Sequence, residues 1–240
     1  MLFIYHGYAI YSGHYVALSS IAKIRNIFTI IILMLGIQHY ETFLLAGILL
    51  NLTPGNDTIY ILSRTIAQGR KAGIMSVLGI ATGSLVHTTF AAVGLSVIIA
   101  QSPVLFNVIK YAGAAYLFYI GLRMIFSRSS VIKLDEPGNE KNNKIYWQAV
   151  LTNVLNPKVA LFFISFLPQF IDPTYSNHYI SFLILGLSFT TTGTLWCLLL
   201  ALFSSFISAA LIKNKKTGSY LTKACGFILV GLGIKVALVK

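Results

Sequence analysis

Residues 72 to 109 contain no aspartate, glutamate, lysine or arginine, and neither do residues 179 to 212. Crossing the roughly 30 Å hydrocarbon core of a bilayer takes about 20 mainly apolar residues. The first run is therefore long enough for two spans, with "QSPVLFN" at 101 to 107 as the natural turn. At about 1.5 Å per residue the second run is too long for one perpendicular helix. It predicts strong tilt, an end beyond the core, or a break at "TTTGT" (190 to 194). A chain that is 56% hydrophobic and 10% charged, with a mean hydropathy of +0.78, lies outside the range of soluble globular domains. The expected fold class is an all-α integral membrane protein with about six transmembrane helices, near 40–64, 73–100, 103–125, 147–171, 179–211 and 219–238.

Orientation follows from lysine and arginine, which concentrate in cytoplasmic loops. The loops after the first, third and fifth spans hold Arg64, Arg70, Lys71, Arg123, Arg128, Lys133, Lys141, Lys144, Lys213, Lys215, Lys216 and Lys223, twelve of the eighteen. Both termini are thus expected outside. The net charge of +12 is explained by topology, and no nucleic-acid partner is needed. Residues 127–146 read as a cytoplasmic connector between halves at about 34–126 and 147–240. Residues 1–33 are weakly apolar and lack the basic start of a signal peptide. They fit a seventh span, an interfacial segment, or a stretch upstream of a start at Met34. The last is favoured by Lys23 and Arg25, which suit an outside location poorly. Cys197 and Cys225 lack metal or CxxC spacing and read as packing residues.

Two polar interruptions fall inside apolar spans: "NLTPGND" at 51–57 and "NVLNPK" at 153–158. Proline removes a backbone donor and breaks the helix behind it, so the freed groups need another helix, water or a substrate. Pro54 and Pro157 stand 103 residues apart, each in the first helix of a three-helix half. Three is odd, so the second half enters the membrane from the opposite side. The halves then form two inverted three-helix repeats with broken first helices, an arrangement typical of secondary transporters.

Each break carries a charge. Asp57 at a helix centre costs about 2.5–3.5 kcal/mol on insertion scales, and Lys158 costs a similar amount, so both are expected to face a cavity. A zwitterionic amino acid matches them: its ammonium meets Asp57, and its carboxylate meets Lys158 and the amides freed at Pro54, Gly55 and Pro157. Asn51, Asn56, Asn153 and Asn156 add neutral hydrogen bonds. Simpler readings stand beside this one. Prolines kink many membrane helices, and Asp57 also fits an N-cap or a structural partner of Lys158. His87 is either a proton relay or, more simply, a buried histidine bonded to a carbonyl. Gly69, Gly73, Gly79 and Gly83 read as close-packing sites.

With these residues in hand, "LLNLTPGNDTIYILSRTIAQGRKAGIMSVLGIATG" (49–83), "GAAYLFYIGLRMI" (113–125) and "NPKVALFFISFLPQFI" (156–171) resemble the LysE/RhtB amino acid exporters. The resemblance covers about 34–240. Family members often carry a second proline after the glycine; here Asn56 stands in its place, with Pro54, Gly55 and Asp57 retained. The resemblance implies a multi-pass bacterial inner-membrane protein that exports amino acids or their derivatives, by proton antiport. In that scheme Asp57, whose titration burial and a nearby cation push in opposite directions, exchanges a proton for the substrate's ammonium.

The expected partners are then an amino acid, protons and the lipid bilayer, with a homodimer left open and no cofactor or metal required. No P-loop or GxSxG motif supports ATP-driven transport or hydrolysis. The alternatives are a cation or metal permease or channel using Asp57, and a noncatalytic subunit or intramembrane enzyme. The lack of further acids within the spans favours neutral or homoserine-like substrates over dibasic ones.

Overall fold

A computed structural model describes residue 27 and residues 29–126, 140–204 and 215–238. The expectations for residues 1–26, for most of the connector, and for Lys213 and the Cys225 side chain lie outside the described residues. What is described is helical, with one isolated backbone bridge between Ile37 and Ile171. The helices are α1 (Tyr40–Leu52), α2 (Asn56–Phe90), a π-helical turn (Ala91–Leu95), α3 (Ser96–Gln101), α4 (Pro103–Phe126), α5 (Asn142–Val154), α6 (Pro157–Ser165), a 3-10 turn (Leu167–Phe170), α7 (His178–Leu202) and α8 (Lys215–Leu238).

Two stretches are long and apolar enough to cross a membrane, Asn56–Ile98 and His178–Leu202; the pair Asn142–Val154 and Pro157–Phe170, bent by 49°, makes a third. The first of these folds back on itself. Gly69 has φ +83° and ψ 179°, a region open essentially to glycine alone, and Thr65 lies against Gly73. Eight residues along a straight helix cover about 12 Å, so that contact requires a reversal at Gly69. The expectation of close packing at this glycine is thus replaced by a turn, since a Cβ there would meet nothing within 4 Å. Gly73, Gly79 and Gly83 are closely packed, against Thr65 and Ala201, against Tyr146 and Ala149, and against Asn153.

The fifth span meets its length problem by ending at Leu202, and "TTTGT" is uninterrupted helix. The two breaks do form. Residues 53–55 are non-helical, with Thr53 and Gly55 extended, and the second break comes at Leu155 and Asn156.

The broken segments run antiparallel. Gln38 N–H donates to the Phe170 carbonyl and Asp172 N–H to the Gly36 carbonyl, both at 2.8 Å, so the start of the first meets the end of the second. At the other end Arg64 contacts Glu140 and Gln148, so the end of the first meets the start of the second. Around them α2 packs on α5 and α7, and α4 packs along α8. Between the segments, Phe43, Phe162, Phe166, Phe170 and Phe189 form an aromatic cluster with ring centroids 4.6–6.3 Å apart. The outward faces are apolar: Val104, Val108, Tyr119, Phe227, Ile234 and Leu238 are all exposed. Water would penalise such a shell and lipid accepts it. The chain is a helical membrane protein.

Candidate functional site

The two breaks meet at a cavity lined by Asn51, Thr53, Gly55 and Asp57 from the first and by Asn153, Asn156 and Lys158 from the second. Of the nine residues singled out in the sequence, the structure brings six to this wall: Asn51, Gly55, Asp57, Asn153, Asn156 and Lys158. Pro54 and Pro157 shape the breaks without lining the cavity. Asn56 opens α2 with its side chain exposed.

Each charge is held by the opposite break. The Asp57 carboxylate accepts from Asn153 Nδ2 at 2.8 Å and from Asn156 Nδ2 at 3.1 Å. The Lys158 ammonium donates to the carbonyls of Leu50 at 2.7 Å and Thr53 at 2.8 Å. The local reason is the same on both sides. A helix that stops leaves carbonyls unsatisfied at its end, and one that restarts leaves amides unsatisfied at its beginning, with partial charges that favour a cation and an anion respectively. Lys158 answers the end of α1, and Asp57 stands in the first turn of α2. Pro157 occupies the first turn of α6, where its missing N–H costs nothing. Asn156 Oδ1 caps that helix by accepting from Lys158 N–H at 3.0 Å, while the same side chain's amide goes to Asp57. Asn156 therefore couples the second break to the acid of the first.

His87 Nε2 lies 3.2 Å from the Asn153 carbonyl, and its ring stacks on Phe163 with centroids 5.5 Å apart. The carbonyl-bonded histidine is what the geometry displays. The rest of the wall escaped the sequence reading. Ser84 and Thr190 share a hydrogen bond of 2.9 Å between α2 and α7. Thr190, Gly193, Thr194 and Cys197 line the cavity at positions i, i+3, i+4 and i+7, one face of a helix. That spacing was present in "TTTGT" and marks a polar face where a break was one option.

The free volume is about 50 Å³; since one water needs about 10–15 Å³ of such space, a few waters fit and an amino acid does not. The aromatic cluster reaches the wall through Phe189. Where the end of the first broken segment meets the start of the second, Arg64, only 6% exposed, binds Glu140 at 3.2 Å and Gln148 at 2.7 Å and lies 5.5 Å from the centroid of the Tyr60 ring. Tyr60 in turn donates to the Ile145 carbonyl at 2.9 Å.

A cavity that carries an acid and a base at the meeting point of two broken antiparallel helices, inside an apolar shell, is the architecture of a membrane translocator. The chain belongs to the LysE type translocator family, whose profile matches residues 48–240. It is 38% identical over 195 residues to the uncharacterized membrane protein YrhP of Bacillus subtilis (strain 168), covering 77% of this chain and 91% of that one. It is 30% identical over 203 residues to the leucine efflux protein of Klebsiella pneumoniae subsp. pneumoniae, and 28% over 208 residues to that of Salmonella typhimurium; each match covers 84% of this chain and 96% of the relative. No solved structure matches the chain.

Proposed function

We propose that this chain exports neutral, aliphatic amino acids such as leucine from the bacterial cytoplasm by proton antiport, using six spans arranged as two inverted halves. The observation that carries the reading is the reciprocal lock, in which Asp57 is held by the second break and Lys158 by the first. Support for the inverted halves comes from the antiparallel course of the broken segments. It also comes from the packing of α4 along α8, the third helix of each half, which an axis in the membrane plane accommodates. The excess of cations at the Arg64 end supports a cytoplasmic location for that end. The names of the relatives supply the substrate class, and Leu50, Ile80, Val159 and Phe189 give the wall an apolar part for an aliphatic side chain.

The substrate ammonium displaces the two asparagine amides from Asp57, and its carboxylate weakens the hold of Lys158 on α1. Both events loosen the lock between halves, and the halves rock to face outside. A proton from outside then takes the substrate's place on Asp57, the substrate leaves, and the lock re-forms after the proton passes inward.

The test is efflux from cells loaded with dipeptides, following all released amino acids for this chain, Asp57→Asn and an empty vector. Faster release of leucine or a few related amino acids, lost on dissipating the proton gradient and lost in Asp57→Asn at equal expression, is expected. Release equal to the empty vector across the panel, with the protein confirmed in the membrane, would overturn the reading and shift weight to a cation permease.

A further inference from the structure

Among the described residues, five buried polar atoms lack a hydrogen-bond partner: Ser63 Oγ, Asn153 Oδ1, Gln169 Oε1, His178 Nε2 and Trp196 Nε1. Such orphans are few in native proteins, and each calls for an explanation. Two of them, Asn153 and Trp196, belong to residues of the cavity wall. Asn153 Oδ1 faces Gly83 at the close crossing of α2 and α5, so helix packing accounts for it. Trp196 Nε1 has no such account. An indole N–H only donates, and an enclosed donor without an acceptor costs about as much as a lost hydrogen bond.

We propose that the Trp196 indole N–H is a binding donor for the substrate's carboxylate. Among the donors of the wall, that of Trp196 is the one that is both buried and without an acceptor. The amides of Asn153 and Asn156 serve Asp57, and that of Asn51 serves Thr192 at 3.4 Å. Of the Ser84 and Thr190 hydroxyls one donates to the other, and the Lys158 ammonium holds two carbonyls. A zwitterion finds its acceptor in Asp57, and those donors already spend part of their capacity in the bonds named, whereas the single N–H of the indole is wholly unused. Placed on α7 in the cavity wall, it gives a widened site a donor, and binding removes the orphan. The assignment rests on the amino acid export reading above.

The test uses purified protein in proteoliposomes. Trp147, the chain's other tryptophan, is 58% exposed and lies outside the cavity, so Trp147→Phe leaves Trp196 as the sole emitter. Leucine is expected to change its emission saturably, with a midpoint matching the transport KM. Trp196→Phe keeps the ring and removes the donor. It is expected to raise the KM for leucine by about tenfold to a hundredfold, the span of a hydrogen bond to a charged group. Inhibition by leucinamide, which lacks the carboxylate, should be equal in both proteins. Leucine flux in the parent with an unchanged KM in Trp196→Phe, or with a silent Trp196, would overturn the assignment alone. No amino acid flux in the parent would overturn the export reading and this assignment with it.

Discussion

Asp57 and Lys158 illustrate how a half-buried charge is made tolerable by the ends of broken helices. Lys158→Met leaves the Leu50 and Thr53 carbonyls without the ammonium that now satisfies them. An unpaired buried acceptor costs about 1–3 kcal/mol, so the apparent melting temperature in detergent should fall by several degrees, and export should be lost. Asn156→Ala removes both the cap on Lys158 N–H and a donor to Asp57. It is expected to cost about 1–2 kcal/mol, as cap loss does, and to slow export, whereas Asn156→Asp keeps the cap but sets a second carboxylate beside Asp57. If Asn156→Asp exported at the parent rate, the coupling of the two breaks through this residue would be wrong. Proline, glycine and charge made the breaks legible, because each is costly inside a lipid-facing helix. The partnership was not legible: that Lys158 reaches the end of α1 depends on how two segments a hundred residues apart cross, which no local pattern encodes.

At the scale of elements, the broken segments are tied at both ends, and each tie contains a carboxylate outside the membrane core. Hydrogen bonds from the Thr174 hydroxyl and amide hold Asp172 below the usual carboxylate range, where it accepts from Gln38 at 3.0 Å. For Glu140, burial pushes upward, but the hydrogen bond from Lys144 and the charges of Arg64 and Lys144 outweigh it, and the group also ends below that range. A depressed folded value means that the stabilisation is present above the ordinary value of about 4 and is lost only as the pH falls through the lower one. Neither tie therefore releases in mildly acidic medium. The pH dependence of export between about pH 5 and 8 should be unchanged in Asp172→Asn and Glu140→Gln, as measured by leucine counterflow across a pH series. Glu140→Gln should still speed counterflow, by no more than about fivefold for a partly exposed pair, because Arg64 keeps Gln148. The crossing of α2 and α5 is a further element-scale feature. A Cβ at Gly79 would fall on the Tyr146 carbonyl and Ala149, so Gly79→Ala should cost about 1–3 kcal/mol, as overpacking does. The spacing of Gly79 and Gly83 pointed to such a crossing, while the reversal at Gly69 was hidden because glycine serves both purposes.

At the scale of the molecule, the antiparallel course of the broken segments fixes a sidedness that can be measured. Asp172 and the start of α1 share one end, and Glu140 shares the other with Arg64. If the halves are inverted and the cation-rich end is cytoplasmic, Ser176, exposed beyond Asp172, faces outside, and Asn143, exposed at the start of α5, faces inside. In a background with Cys197→Ala and Cys225→Ala, a membrane-impermeant maleimide applied to intact cells should label Ser176→Cys and spare Asn143→Cys, and permeabilised cells should show both labelled. The reverse pattern would mean that the charge rule fails here and the chain sits upside down. Labelling of both sites from outside would be more damaging, because α5 and α6 would then not span and the second half would not be an inverted copy of the first. The lock argues for spanning: Lys158 and Asp57 lie between the two tied ends, so their carbonyl and amide partners substitute for water where lipid offers none.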